Sequence, residues 1–578
     1  MKKLLLGNEA IARGLYEAGV TFVSSYPGTP STEITEEAAK YGEIYAEWAP
    51  NEKVAVEAAL GASVAGARSF AAMKHVGLNV AADPLFTSSY TGVNGGFVIC
   101  VADDPAMHSS QNEQDSRHYA RAAKLPMLEP SDSVDCRDFA RIAYEISEAF
   151  DTPVLLRTLT RVAHSQALVE LNDREEPALR DYAKNPAKYV MNPAFGFARH
   201  KVVEQRLLDL KAYSERSPLN REEIRNPDVG FVCAGSAYEY VMEAFPDASV
   251  LKLGMTHPLP MEKIRAFREK VKTLYVVEEL DPVFETEMRA AGIRVDGGKE
   301  RFGLIGEFSQ NTIREALKIS APDSAAFGEP VPPRPPVMCA GCPHRGVFYT
   351  LSKMKLTVMG DIGCYTLGAS APLSAVDTVV CMGASVSMLH GFNKVRPEGA
   401  GKTVAVIGDS TFLHSGITGL TDIAYNRSVS TVLILDNSIT GMTGHQQNPA
   451  TGYTLKMESV PPVSLEKVCE AVGIRRVRTV DPSDLKALES ALKEELAADE
   501  PSVIICRKPC MLLKYVKPKP ALRVNADKCR GCRSCMKLGC PAIRFENGKA
   551  VIDRAQCVGC GLCPQLCAFG AIGEGAQA

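Results

Sequence analysis

A chain of 578 residues is too long for one hydrophobic core, and three to five domains is the natural expectation. Hydrophobic residues make up 46% and charged residues 23%, the balance of an ordinary globular protein; a net charge of −3 points to neither nucleic acid nor an anionic membrane as a partner. The start, Met1-Lys2-Lys3-Leu4-Leu5-Leu6, imitates a signal peptide, but its apolar stretch stops at Gly7-Asn8-Glu9, and no run elsewhere is long enough to span a membrane. With 18 cysteines and no export signal, metal ligands in a reducing cytoplasm are expected rather than a disulfide framework.

Residues 1–175 alternate short apolar runs with helical patterns: a strand at Thr21–Ser25, a helix from Asn51 to Arg68, a strand at Gly96–Val101. That alternation predicts an α/β domain with a mainly parallel sheet. Residues 176–226 are polar and read as a helical connector. A second α/β unit covers 227–325, with strands at Gly230–Cys233 and Leu274–Val277. The proline-rich run Glu329–Pro336 reads as an extended linker opening a third α/β domain, 326–515, whose clearest strands are Thr403–Ile407 and Thr431–Leu435. A basic tether with Lys514, Lys517 and Lys519 leads to a small module over 520–578.

That module carries Cys529, Cys532, Cys535 and Cys540, followed by Pro541, and then Cys557, Cys560, Cys563 and Cys567. Three cysteines two residues apart wrap one face of an iron–sulfur cube, and the distant fourth normally caps the other cube. The expected sets are Cys529, Cys532, Cys535 with Cys567 for one [4Fe-4S] cluster, and Cys557, Cys560, Cys563 with Cys540 for the other. This is the pattern of a two-cluster ferredoxin.

In the third α/β domain, Gly408-Asp409-Ser410 ends one strand, and Asp436-Asn437 ends the next clear one, 28 residues beyond Asp409. Strand ends of a parallel sheet open onto the ligand crevice, and hard oxygen ligands there suit Mg²⁺ and phosphate. A helix starting near Phe412 would point its N-terminus at the phosphates. The arrangement resembles the thiamine diphosphate signature, with Ser410 and Asp436 departing from it. The resemblance implies cofactor contacts at Gly408, Asp409, Ser410 and Asn437, with Asp409, Asn437 and the Ile439 carbonyl on the metal. Met442 falls in a loop expected beside the thiazolium. The alternative is a strand end and turn that match by accident.

Thiamine diphosphate also needs a carboxyl group against its aminopyrimidine. Glu52, heading a small-residue helix, resembles that glutamate, with Glu57 as the competing candidate. Tyr26-Pro27-Gly28-Thr29-Pro30-Ser31 resembles the Tyr-Pro-x-Thr-Pro loop of 2-oxoacid:ferredoxin oxidoreductases, in which the Thr faces cofactor and substrate; otherwise it is a turn capped by Ser31 or Thr32. His75 lies in a loop expected near the cofactor; a structural hydrogen bond is its alternative. Arg117 suits a substrate carboxylate, or an ion pair with a nearby Asp.

Taken together, these segments, with Met73–Asn79, Asp103–Arg117 and Gly360–Cys364, resemble the large subunits of indolepyruvate:ferredoxin oxidoreductases along the whole chain. The resemblance implies three doubly wound α/β domains of the thiamine-enzyme type (pyrimidine-binding, transketolase-C-like, diphosphate-binding) and a C-terminal two-[4Fe-4S] ferredoxin domain. It implies oxidative decarboxylation of an aryl 2-oxoacid to the aryl-acetyl-CoA and CO₂, with electrons passing singly through the clusters to an external ferredoxin. It also implies a smaller beta subunit, a dimer of heterodimers, and a cofactor between the two outer α/β domains of one chain or of two. Cys339, Cys342, Cys364 and Cys510 resemble the ligands of a third cluster beside the thiamine; a zinc site or buried thiols are the alternatives. Cys100, Cys136, Cys233, Cys381, Cys469 and Cys506 lack ligand spacing and read as core. Another 2-oxoacid is an open substrate. A non-oxidative thiamine decarboxylase or carboligase would need no clusters, and a pure electron-transfer subunit would need no Glu52, Asp409 and Asn437.

Overall fold

The computed structural model describes residues 1–320 and 328–574 and divides the chain into two compact units, Met1–Gly328 and Glu329–Ala578. The first unit is built on a seven-stranded sheet, in the order Met255–His257, Met127–Leu128, Val154–Leu159, Phe97–Asp103, Ser69–Lys74, Phe22–Ser25, Tyr45–Trp48. All neighbours are parallel except the edge strand Met255–His257. The central strand Phe97–Asp103 is buried at every position, as expected of a parallel strand covered by helices on both faces.

That edge strand comes from the following α/β layer, whose own sheet runs Thr273–Val277, Asn226–Cys233, Ala248–Leu253, Asn220–Glu223. The stretch expected to be a helical connector is mixed. It holds the 24-residue helix Pro193–Arg216, but residues 173–185 carry no regular element, and Asn220–Glu223 is already a strand of this sheet.

The second unit holds a five-stranded, wholly parallel sheet ordered Thr357–Met359, Thr403–Gly408, Thr431–Asp436, Ser502–Arg507, Arg476–Val480. Two apolar clusters cover its faces, one around Val404, Leu433 and Ile504, the other around Ala405, Ile434 and Ile505. Alternate residues of each strand feed opposite faces, which is why these strands read as unbroken apolar runs. The helix expected near Phe412 begins at Asp409, widens to a π-helical turn over Phe412–Gly416 and continues as Ile417–Tyr425. The C-terminal module has two small antiparallel pairs, Leu522–Val524 with Ile572–Glu574 and Ile543–Glu546 with Lys549–Ile552. Its apolar core includes Leu538, Ile543, Leu562 and the cysteines Cys529, Cys535 and Cys563. Among the described residues, no helix is long and apolar enough to cross a membrane.

Candidate cofactor sites

In the first unit, the helix Glu52–Val64 opens on Glu52, and Asn51 caps it by accepting the Val54 N–H at 2.9 Å. Glu52 is only 5% exposed, and Gly77 packs on its carboxyl group: an added Cβ there would lie 2.6 Å from Glu52 Oε1. Glu57, the competing candidate, is half exposed and paired with Lys53 on the outer helix face. Ser31 does not cap the following helix; its hydroxyl donates to the Gly28 carbonyl at 2.9 Å. The carbonyl of half-buried Thr29 accepts from Ser109 Oγ at 3.4 Å, and the Ser109 carbonyl accepts from Lys74 Nζ at 2.9 Å.

Lys74 was not singled out by sequence, although it borders the loop. Its stem packs across Gly28, and burial pushes its amine down to about 8, with Asp104 and Glu52 opposing. Asp104 gathers the loop by accepting from Ser109 N at 2.8 Å, Ser110 Oγ at 2.7 Å and Thr160 Oγ1 at 2.7 Å. His75 is buried, and burial lowers its pKa; Nε2–H donates to the Asn112 carbonyl at 3.1 Å, while Nδ1 has no partner among the described residues.

Arg117 takes the ion-pair alternative instead of an open position for a substrate carboxylate. It is 2% exposed, with Nε on Asp115 at 2.9 Å, Nη1 on Glu278 at 2.6 Å, and Nη2 on the Glu279 and Asp281 carbonyls. Its donors are spent tying the first sheet to the second, and Arg157 extends the network to Asp103 and Glu129.

In the second unit, Asp409, Asn437 and Ile439 converge. The Asn437 side-chain amide lies 2.7 Å from the Ile439 carbonyl and 3.2 Å from Asp409 Oδ1. With its nitrogen turned inward the amide donates to both; with its oxygen inward, three oxygens face one another, an arrangement that a hard cation makes favourable. Asp409 is buried, and burial, then Asp436, pushes its carboxyl up to about 7. Its other oxygen accepts from Asn448 at 3.1 Å. Asp436 turns away, accepting Ser438 N at 3.0 Å and Arg507 Nε at 2.6 Å. Gly408 lies against Tyr365, where a Cβ would be 2.7 Å from the ring, and Ser410 Oγ accepts from Thr440 Oγ1 at 2.9 Å. Met442 is 52% exposed on the loop that follows. Asp361, which sequence motifs left without a role, accepts the backbone N–H groups of Ile362, Gly383 and Ser385 and so fixes the neighbouring loop.

The loop after Asn437 also meets the third cysteine set. The Asn437 carbonyl accepts the Cys510 N–H at 2.9 Å, and a Cβ on Gly441 would lie 3.5 Å from Cys364 Sγ and 3.7 Å from the Asn437 amide. Burial pushes Cys364 up to about 11, with Cys510 and Cys339 adding to the shift; Cys342 rises to about 12 through burial, with Cys364 and Cys339 contributing. The four thiols therefore share one neighbourhood. Cys100, Cys136, Cys233, Cys469 and Cys506 are buried; Cys381, expected in the core, is exposed because its segment lies outside the regular strands and helices.

The tail cysteines line two pockets. One is bounded by Cys529, Cys532, Cys535 and Cys567, the other by Cys540, Cys557, Cys560 and Cys563. Each takes three cysteines from one run and the last cysteine of the other. Among the described residues, no group of three or more His, Cys, Asp or Glu side chains stands where it could hold a single metal ion.

Residues 13–245 match the family model of the pyruvate flavodoxin/ferredoxin oxidoreductase thiamine diphosphate-binding domain, 361–506 that of the C-terminal domain of thiamine pyrophosphate enzymes, and 521–568 that of a 4Fe-4S dicluster domain. The indolepyruvate oxidoreductase subunit IorA of Archaeoglobus fulgidus is 39% identical over 603 residues, covering 98% of this chain and 96% of that one. Its counterpart from Methanothermobacter marburgensis is 40% identical, with coverage of 98% and 96%. Among solved structures, 2-oxoglutarate:ferredoxin oxidoreductase from Magnetococcus marinus matches 55% of this chain and 65% of that one, at 17% identity and a TM-score of 0.44. Identity at this level over nearly the full length, together with thiamine-binding and 4Fe-4S domains in one chain, places it in the indolepyruvate oxidoreductase subunit IorA family: it is a subunit of a thiamine-diphosphate-dependent 2-oxoacid oxidoreductase that decarboxylates oxidatively and passes electrons through iron–sulfur clusters.

Proposed function

We propose that the chain acts on aryl 2-oxoacids, indolepyruvate and similar arylpyruvates, yielding the aryl-acetyl-CoA and CO₂. The observation that carries the chemistry is the convergence of Asp409, Asn437 and Ile439 beside four neighbouring cysteines, in a chain whose tail has two further four-cysteine pockets; the aryl substrate rests on the identity of 39% and 40% to the indolepyruvate oxidoreductase subunits. Bound thiamine diphosphate supplies a carbon nucleophile for the keto group and a sink for the electrons left by CO₂. Asp409, Asn437 and the Ile439 carbonyl would hold Mg²⁺ against the diphosphate, with Gly408 and Ser410 lining the same strand end. Glu52 would hold a proton on the aminopyrimidine, in the dry setting its burial supplies. Thr29 and His75 would flank the reacting carbon, and Lys74 is the cation this reading gives to the substrate carboxylate in place of Arg117.

The same reading places one [4Fe-4S] cluster on Cys529, Cys532, Cys535 and Cys567, a second on Cys540, Cys557, Cys560 and Cys563, and a third on Cys339, Cys342, Cys364 and Cys510. Partners are a smaller beta subunit, in a dimer of heterodimers, and an external ferredoxin in the cytoplasm. The test is anaerobic: the chain with its smaller subunit, thiamine diphosphate, Mg²⁺, CoA, a viologen dye and a panel of 2-oxoacids. Dye reduction greatest with arylpyruvates is expected. No reduction with any 2-oxoacid would sink the chemistry, and preference for a non-aromatic one would change the substrate. Iron per chain, at four for each cluster, separates two clusters from three.

A further inference from the structure

Arg345 is a buried guanidinium with no carboxylate partner among the described residues. It is 2% exposed. Nη1 donates to the Leu538 carbonyl at 2.6 Å, and Nη2 to the carbonyls of Met338 at 2.6 Å and Cys339 at 3.0 Å; Nε meets no partner among the described residues. The comparably buried Arg117 and Arg157 each face carboxylates. Carbonyl dipoles solvate a cation without neutralising it, and an unanswered charge in a low-dielectric interior is costly. The position calls for an anion.

The surroundings say where that anion would lie. Arg345 lines the pocket bounded by Cys540, Cys557, Cys560 and Cys563, together with Ala340 and Gly341. Gly341, at φ +70°, lies between Cys339 and Cys342; a Cβ there would strike Val558, the neighbour of Cys557. A Cβ on Gly539, just before Cys540, would lie 3.5 Å from Arg345 Nη1. The guanidinium therefore bridges the Met338–Cys339 backbone to the Leu538 carbonyl, two residues before Cys540.

We propose that Arg345 is the counter-cation of an iron–sulfur cluster held by Cys540, Cys557, Cys560 and Cys563, that it raises the reduction potential of that cluster, and that its carbonyl bonds fix the pocket against the Cys339–Cys342 segment. The inference rests on the reading above that these cysteines hold a cluster. A thiolate-ligated cluster is a net anion and gains one further negative charge on taking an electron. A fixed cation close by stabilises the reduced form more than the oxidised one. The sister pocket has Arg530 and Arg533 at its rim, but both are exposed, where water and salt screen them. Arg345 thus acts on one cluster of the pair.

The test is a redox titration of the full chain, followed by electron paramagnetic resonance, with the signals of the two tail clusters assigned through Cys560→Ser and Cys532→Ser and that of a cluster on Cys339, Cys342, Cys364 and Cys510 set apart through Cys364→Ser. Arg345→Gln is expected to move the midpoint of the Cys540–Cys557–Cys560–Cys563 cluster to more negative potential and leave the other in place. Arg345→Lys, which keeps the charge, is expected to hold the wild-type midpoint. No shift in Arg345→Gln, or an equal shift of both clusters, overturns the proposal. Should Arg345→Gln lose its iron, Arg345→Lys decides: wild-type iron and midpoint support the proposal, and lost iron or a lowered midpoint overturns it. A wild-type chain without iron on these four cysteines removes the cluster reading itself, which the iron count reports separately.

Discussion

Gly77 stands where any side chain would collide with Glu52: a Cβ would lie 2.6 Å from Oε1, 2.8 Å from Cγ and 2.9 Å from Cδ. The glycine therefore sets the rotamer of the carboxyl group by the space it leaves. Gly77→Ala is expected to displace Glu52 and lower turnover at least tenfold, while circular dichroism stays unchanged. A variant with wild-type turnover would detach Gly77 from the site.

Glu52 and Glu57 separate cleanly by environment, one buried at the helix start, the other paired with Lys53 outside. Loss of a group that moves a proton costs about 10²–10⁴ in rate. Glu52→Gln is expected to fall in that range and Glu57→Gln within about twofold of wild type, as surface substitutions usually do. Steady-state rates with a viologen acceptor check both.

Asp409 is a buried carboxyl beside Asp436, so without a cation it burdens the fold. Asp409→Asn is expected to leave the melting temperature of the apo-protein level or higher, and to abolish the upward shift that Mg²⁺ with thiamine diphosphate gives the wild type. A ligand that binds only the folded state stabilises by RT ln(1 + [L]/Kd), about 2.7 kcal/mol at a hundredfold excess over Kd. An unchanged shift would move the metal elsewhere.

Lys74 carries the one new assignment in the first unit's loop. Lys74→Met is expected to raise KM for the 2-oxoacid by about tenfold or more, because a charge-assisted contact is worth roughly 1.5–3 kcal/mol. A mutant that loses only kcat, at constant KM, would give the amine a different task.

Glu279 makes stability fall with pH. Burial pushes its carboxyl up to about 7, with Lys299 and Arg157 lowering and Glu307 raising it, while both oxygens accept the Phe308 N–H, at 3.1 and 3.3 Å. Between about pH 4.5 and 7 the folded chain keeps a proton that the unfolded chain has released, so stability declines as pH rises. Glu279→Gln keeps an acceptor and removes the titration. Its urea midpoint is expected to match wild type at pH 5 and exceed it at pH 8, the unfolding free energy there being higher by up to about 3 kcal/mol. Equal midpoints at pH 8 would refute this.

The sequence by itself determined the elements with strong local signals. Unbroken apolar runs such as Thr431–Leu435 marked central parallel strands, since both faces of such strands are buried. Cysteine spacing grouped the tail cysteines into the same two sets that line the two pockets, because ligands of one cube keep fixed distances. Asp409 and Asn437 were legible because they end adjacent strands of one sheet, which brings them together whatever the loops do. Only the tertiary structure decided the remainder. In sequence Arg117 suited a substrate carboxylate or an ion pair with a nearby Asp, and the structure spends it on Asp115 and on Glu278, 161 residues away; Cys381 looked like core and is exposed. Asn448 and Arg345 carried no motif, and Lys74 and Asp361 lay in family-like segments without a role of their own, because the importance of all four lies in which distant groups they face. Charge compensation and burial are properties of three-dimensional neighbours, and sequence order lists only the neighbours along the chain.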